Sequence, residues 1–239
     1  MLKSVAVFGA SGGIGKALVQ QLCNAHDTDI VYAIARNTDK VPPHPKIELI
    51  ECDITDALSV AAATDLIPIN TLDLVFVATG VLSSEAGTPE KRLVSLNTDY
   101  ALEQFSVNTL GPMLVAQHVL PKLDRKKRTY FAALSARVGS ISDNRLGGWY
   151  SYRAAKSALN MMIKTAAIEF QRTHPELVIT ALHPGTVDTN LSKPFQGRVP
   201  ESRLFSAEQS AAYLLDVLQG LTPSQSGKIF AWDSSLINP

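Results

Sequence analysis

Short, mostly apolar runs alternate along the chain with longer stretches in which apolar residues recur every three or four positions. The runs 4–8, 30–35, 47–51, 74–78, 128–134, 178–182 and 228–232 read as strands. The stretches 14–25, 57–67, 99–123, 149–173 and 207–219 read as helices; in the first, Leu18, Leu22 and Ala25 fall on one side. Strands this apolar do not face water. They fit a parallel sheet covered on both faces by helices, with right-handed crossovers. The pattern therefore predicts an α/β fold, a doubly wound parallel sheet of about seven strands. No repeat, low-complexity tract or linker interrupts residues 1–239, so one domain is expected. The least regular stretch is 188–206, with Pro194, Gly197 and Pro200, and it reads as a loop over a substrate.

Composition narrows the classes of function. Hydrophobic residues make up 46% of the 239 and charged residues 18%, which is globular. Lys+Arg and Asp+Glu stand at 22 each, so binding to a phosphate backbone is not expected as the main role. The cluster at 125–128 reads as a solvated loop. No apolar stretch is long enough to span a bilayer, and the N-terminus does not read as a signal peptide. Cys23 and Cys52 form no paired motif and read as small core residues of a reduced, cytoplasmic protein. No metal site is expected.

Two motifs suggest chemistry. The first is Gly9-Ala10-Ser11-Gly12-Gly13-Ile14-Gly15, between the first strand and the first helix. A chain that turns tightly there, without side chains in the way, offers helix N-terminal amides to a pyrophosphate, as in Rossmann-type dinucleotide sites. After the second strand comes Arg36 rather than a carboxylate. A guanidinium suits a 2′-phosphate, so NADP(H) is favoured over NAD(H). The second motif is Tyr152 and Lys156, four residues apart on one helix face. A phenol titrates near 10 by itself, and an adjacent ammonium favours its anion. Tyr150 lacks such a partner, because Ala154 occupies its i+4 position.

On these motifs, together with 139–144 and 149–160, the chain resembles the short-chain dehydrogenase/reductase superfamily over essentially its whole length. It looks most like the compact, single-domain C-factor-like and carbonyl-reductase-like group. The resemblance implies hydride transfer between a nicotinamide and a carbonyl or secondary alcohol, with Tyr152 as acid/base and Lys156 lowering its pKa and binding ribose. It implies that Asn108 holds a water joined to the lysine; Pro112, lacking an N–H, frees the Asn108 carbonyl for that purpose. The family's serine pair after the fifth strand becomes Ser135-Ala136 here, so Ser135 or Ser140 is left to supply the substrate-facing hydroxyl. Cofactor contacts are implied for Ser11, Gly12, Gly13 and Ile14, for Asp53 and Ile54, for Ala78, Thr79 and Gly80, and for Pro184, Gly185, Val187 and Thr189.

The partner expected is a small carbonyl or alcohol, with neither nucleic acid nor membrane. A homodimer or homotetramer is implied, built on the helices 99–123 and 149–173. Ala136 keeps open an alternative of another class, a dinucleotide-binding sensor or signalling protein with little turnover. His183 reads as a strand-end structural residue, and Arg137 and Arg145 as solvated, with recognition of an anionic substrate as the alternative for the two arginines.

Overall fold

The computed structural model describes the backbone of residues 1–239 and all side chains except those of residues 198 and 201. Its main sheet contains β1 (Ser4–Phe8), β2 (Ile30–Ala35), β3 (Ile47–Glu51), β4 (Leu74–Val77), β5 (Thr129–Leu134), β6 (Leu177–His183), β9 (Ile229–Ala231) and β10 (Leu236–Ile237). The spatial order is β10-β9-β6-β5-β4-β1-β2-β3. Every neighbouring pair is parallel except β9 with β10. The seven expected strands are thus joined by an eighth, antiparallel one. A separate two-stranded ribbon pairs β7 (Thr186–Val187) with β8 (Leu204–Phe205). Strand order reverses beside β1, between β2 on one side and β4 on the other. That switch point opens a crevice at the carboxyl ends of the strands.

Alternation along the strands divides the core into two layers. Val5 and Val7 face α1 (Gly13–Asn24) and α6 (Ala207–Gly220), where they join Leu18, Leu22, Leu214 and Leu218. Ala6 and Phe8 face α2 (Ala57–Asp65), α4 (Gly111–Val119) and α5 (Tyr150–Gln171), with Val60, Val115, Leu159 and Ile163. Cys23 lies in the first layer and Cys52 in the second, so the sheet separates the two thiols. Burial raises both thiol pKa values.

The long helix expected over 99–123 is interrupted. α3 (Thr98–Phe105) passes into a π-turn, Ser106–Leu110, before α4 begins. The Gly111 N–H donates to Ser106 O, five residues back. Pro112, at the start of α4, has no N–H with which to continue an ordinary ladder, and the wide turn accommodates it. Asn108 is the middle residue of this turn.

Candidate active site

The crevice holds a cavity of about 710 Å³. The glycine loop lines one side with Ser11, Gly12, Gly13 and Ile14. Gly9 has φ +85°, in the left-handed region, and its carbonyl accepts from the Gly12 N–H at 3.0 Å. A Cβ on Gly15 would lie 2.1 Å from Gly9 O, and one on Gly13 would lie 2.6 Å from Thr189 Cγ2. Position 15 therefore needs glycine, and a side chain at position 13 would have to displace Thr189. No side chain caps α1 and no acid sits in its first turn. Its first amides face the crevice without an intrahelical acceptor.

Ala78, Thr79 and Gly80, at the end of β4, line the cavity, as do Pro184, Gly185, Val187 and Thr189 after β6. Gly185 has φ +79°. Arg36, Asp53 and Ile54 do not line this cavity. Arg36 is exposed beyond β2. Burial tends to raise the Asp53 carboxyl pKa, but hydrogen bonds from the Thr55 N–H and hydroxyl, with the nearby Arg36 charge, hold it below its ordinary value. Ile54 is buried and packs where a Cβ on Gly111 would stand, 2.6 Å from Ile54 Cδ1. Arg36 and Asp53 are thus neighbours outside the main cavity.

Tyr152 and Lys156 reach the same cavity from α5 and are only 7% and 2% exposed. Lys156 Nζ donates to Leu134 O at 2.8 Å and stands 5.8 Å from the centre of the Tyr152 ring. Burial pushes the Lys156 pKa down to about 7 and the Tyr152 pKa up. The expected lowering of the phenol by the ammonium is therefore not what the structure has: desolvation governs both groups. Asn108 is fully buried; its Nδ2 donates to Val81 O at 2.8 Å, and its Oδ1 accepts from the Val81 N–H at 3.1 Å. A Cβ on Gly80 would lie 3.3 Å from Asn108 Oδ1 and 3.9 Å from Lys156 Nζ. A side chain at position 80 would thus meet both groups.

The two serines part company. Ser135 lines the cavity, but its hydroxyl donates to Asn160 Oδ1 at 2.7 Å. Ser140 does not line it; its hydroxyl donates to Asn238 O at 2.5 Å and accepts from the Asp143 N–H. The carboxy-terminal tail thus holds one of the two hydroxyls expected as candidates to face the substrate, and Asn160 holds the other. Ala136 occupies the cavity wall instead.

The family model described as short chain dehydrogenase matches residues 3–198. The chain belongs to the short-chain dehydrogenase family. It is 30% identical over 241 residues to a 1-hydroxy-2-glutathionyl-2-methyl-3-butene dehydrogenase of Rhodococcus sp. (strain AD45), covering 99% of each chain. It is 33% identical over 158 residues to the C-signal protein of Myxococcus xanthus, covering 65% of this chain and 89% of that one. In fold it matches the NADPH-bound carbonyl reductase from chicken fatty liver, with TM-score 0.84 and 24% identity over 100% of this chain and 94% of that one.

As a short-chain dehydrogenase the protein is an NAD(P)-dependent oxidoreductase acting at the C=O/CH–OH level on small molecules. The crevice fits a dinucleotide on its own features. The glycine cradle has no room for a Cβ at position 15, the α1 amides are uncapped, and the buried Thr79 hydroxyl in the cavity wall has no partner. Of the other cavity residues, Trp149 belongs to the 149–160 motif, Leu191 and Phe195 to the 188–206 stretch read as a loop over a substrate, and Leu82 carries no local sequence signal. Leu82, Trp149, Leu191 and Phe195 line the cavity. So does Arg137, paired with Asp143 at 3.4 Å, which the sequence reads as solvated with an anionic substrate as the alternative. His183, half-buried, also lines the cavity; its Nδ1 is buried without a partner, and desolvation drives its pKa down to about 4. Among the described residues no helix is long and apolar enough to cross a membrane.

Proposed function

We propose that the protein is an NADP(H)-dependent carbonyl reductase/alcohol dehydrogenase in which Tyr152 moves the proton. The observation that carries this reading is the convergence of Tyr152 and Lys156, both buried, on the cavity lined by the glycine loop. NADPH, when bound, supplies the hydride to the carbonyl carbon. Tyr152 gives its phenolic proton to the oxygen of the forming alkoxide, or takes it back in oxidation. Burial raises the phenol's pKa, which keeps it protonated and ready to donate. Lys156, held by Leu134 O, binds the nicotinamide ribose and stabilises the phenolate left behind. Asn108 braces the loop at Val81 and extends the proton path from Lys156.

Ser11, Gly12, Gly13 and Ile14 hold the pyrophosphate, and Ala78, Thr79, Gly80, Pro184, Gly185, Val187 and Thr189 hold the rest of the cofactor. Exposed Arg36 binds the 2′-phosphate and Asp53, beside Ile54, the adenine. The NADPH of the chicken enzyme's structure supports the choice of NADP(H). Residues 1–239 act as one domain with 188–206 over the substrate. The protein works in the cytoplasm as a homodimer or homotetramer; exposed Leu102, Leu110, Met161 and Ile168 on the long helices support that assembly.

The test is NADPH consumption over a panel of aldehydes, ketones and quinones, run beside Tyr152→Phe. Turnover that the variant loses supports the reading. NADPH binding without turnover in the unmodified protein overturns it. That result favours a sensor, for which Ala136 in the cavity wall is the relevant observation.

A further inference from the structure

Three consecutive left-handed residues lead into α5: Gly147 and Gly148 at φ +64°, then Trp149 at φ +54°. Glycine adopts this conformation freely; tryptophan does not, and a bulky residue there is strained. Such strain persists only where neighbours over-determine it, and it gathers at functional sites. Here the neighbour is Glu90, itself 4% exposed. The Glu90 carbonyl accepts from the Trp149 N–H at 2.5 Å. Its carboxylate accepts from the Ser151 N–H at 3.2 Å and from the Ser151 hydroxyl. One residue, from the loop after β4, therefore grips the chain on both sides of the peptide that precedes α5.

The grip fixes the position of the indole. Trp149 lines the cavity and packs edge-on against Tyr152, ring centres 6.2 Å apart, and against Phe195 at 5.0 Å. Phe195 belongs to the 188–206 stretch. The indole thus joins the proposed proton donor to the loop over the substrate. Leu82, Val138 and Val199 also line this cavity, alongside the polar Arg137 and Lys193.

We propose that Trp149 determines substrate choice. Gripped by Glu90, it forms an aromatic wall beside Tyr152 and selects carbonyl compounds whose substituent is a flat aryl group. This rests on the reading of Tyr152 as the reacting acid. A flat ring gains edge or face contact with Trp149 and Phe195 that a puckered ring of similar size lacks.

The probes are acetophenone and cyclohexyl methyl ketone, which differ mainly in the flatness of the ring. With NADPH, kcat/KM favours acetophenone by about fivefold, and the difference lies in KM. Trp149→Gly suits the left-handed φ, so it removes the indole without adding strain; it abolishes the preference. Trp149→Phe retains most of it. Glu90→Ala, which releases the grip, loses the preference while NADP⁺ affinity stays unchanged. An equal ratio in the unmodified protein and Trp149→Gly overturns the proposal. If no ketone turns over, the carbonyl-reductase reading fails instead. Equilibrium dialysis of the two ketones in the presence of NADP⁺ then tests the wall directly: tighter acetophenone binding, lost in Trp149→Gly, supports it, and equal binding overturns it.

Discussion

The Ser135 hydroxyl donates to Asn160 Oδ1 at 2.7 Å, which commits it to the packing of β5 on α5. The next residue, Ala136, faces the cavity with a methyl group. On the proposed reading no second donor therefore joins Tyr152 at the carbonyl oxygen, and adding one stabilises the developing alkoxide where charge appears. Ala136→Ser is expected to raise kcat for ketone reduction by about 100-fold. Ser135→Ala is expected to change kcat less than about threefold and to lower stability by about 1 kcal/mol. Steady-state kinetics and urea unfolding separate the two. A large kcat loss in Ser135→Ala would mean that this hydroxyl leaves Asn160 during turnover.

Lys156 gives the fold a distinctive pH dependence. Its pKa is lowered from the ordinary 10.5 to about 7 by burial. Between those values the unfolded chain holds a proton that the folded protein has released. The lysine's contribution to stability therefore rises with pH across that window, by on the order of 4 kcal/mol. Tyr152 acts in the opposite sense at the upper end. Its pKa is raised above the ordinary 10, so the folded phenol keeps its proton after the unfolded one has lost it, and stability falls above pH 10. Lys156→Met is expected to flatten the rise between pH 7 and 10 in urea unfolding, leaving the fall above 10 in place. An unchanged slope in the variant would show that the ammonium is not desolvated.

What the sequence reveals depends on how local each feature is. The glycine loop and the Tyr152–Lys156 pair are legible because each is a short segment whose spacing defines its geometry. Seven strands are legible because their runs are apolar. β10, only Leu236–Ile237, is too short to make a pattern, and it exists because β9 offers it a free edge. Ser140 misleads because its partner, Asn238, is 98 residues away. Trp149 lies within a legible motif, but its left-handed turn depends on Glu90. The lowering of the Tyr152 pKa expected from the i+4 ammonium fails for another reason. Helix spacing gives proximity, whereas burial depth, set by tertiary packing, decides the sign.

Asp73 marks the opposite, structural pole of the sheet. It is 4% exposed, and its Oδ2 accepts from the Lys3 N–H at 2.8 Å and the Ser4 N–H at 2.9 Å, while Lys127 Nζ stands 2.6 Å from its Oδ1. It ties β1 to the start of β4 at the end remote from the cavity. Asp73→Ala leaves buried donors without an acceptor, and it is expected to cost about 3 kcal/mol in urea unfolding. Affinity for NADP⁺, measured by titration at a temperature where the variant is folded, is expected to remain within about twofold. A stability loss under about 0.5 kcal/mol would mean that water replaces the carboxylate at both amides.

Arg36 stands exposed just beyond β2, close enough to Asp53 for its charge to lower the carboxyl pKa. A guanidinium there has two options: it neutralises Asp53, or it binds the 2′-phosphate that separates NADPH from NADH. An exposed ion pair contributes little, whereas a charge-assisted bond to phosphate contributes about 1.5–3 kcal/mol. Arg36→Ala is therefore expected to weaken NADPH binding by about 10- to 100-fold while leaving NADH binding within about threefold. Arg36→Glu adds repulsion and is expected to reverse the preference. Fluorescence titration with the two reduced cofactors measures both. Equal losses for NADPH and NADH would mean that Arg36 acts only through Asp53 and the adenosine that both cofactors share.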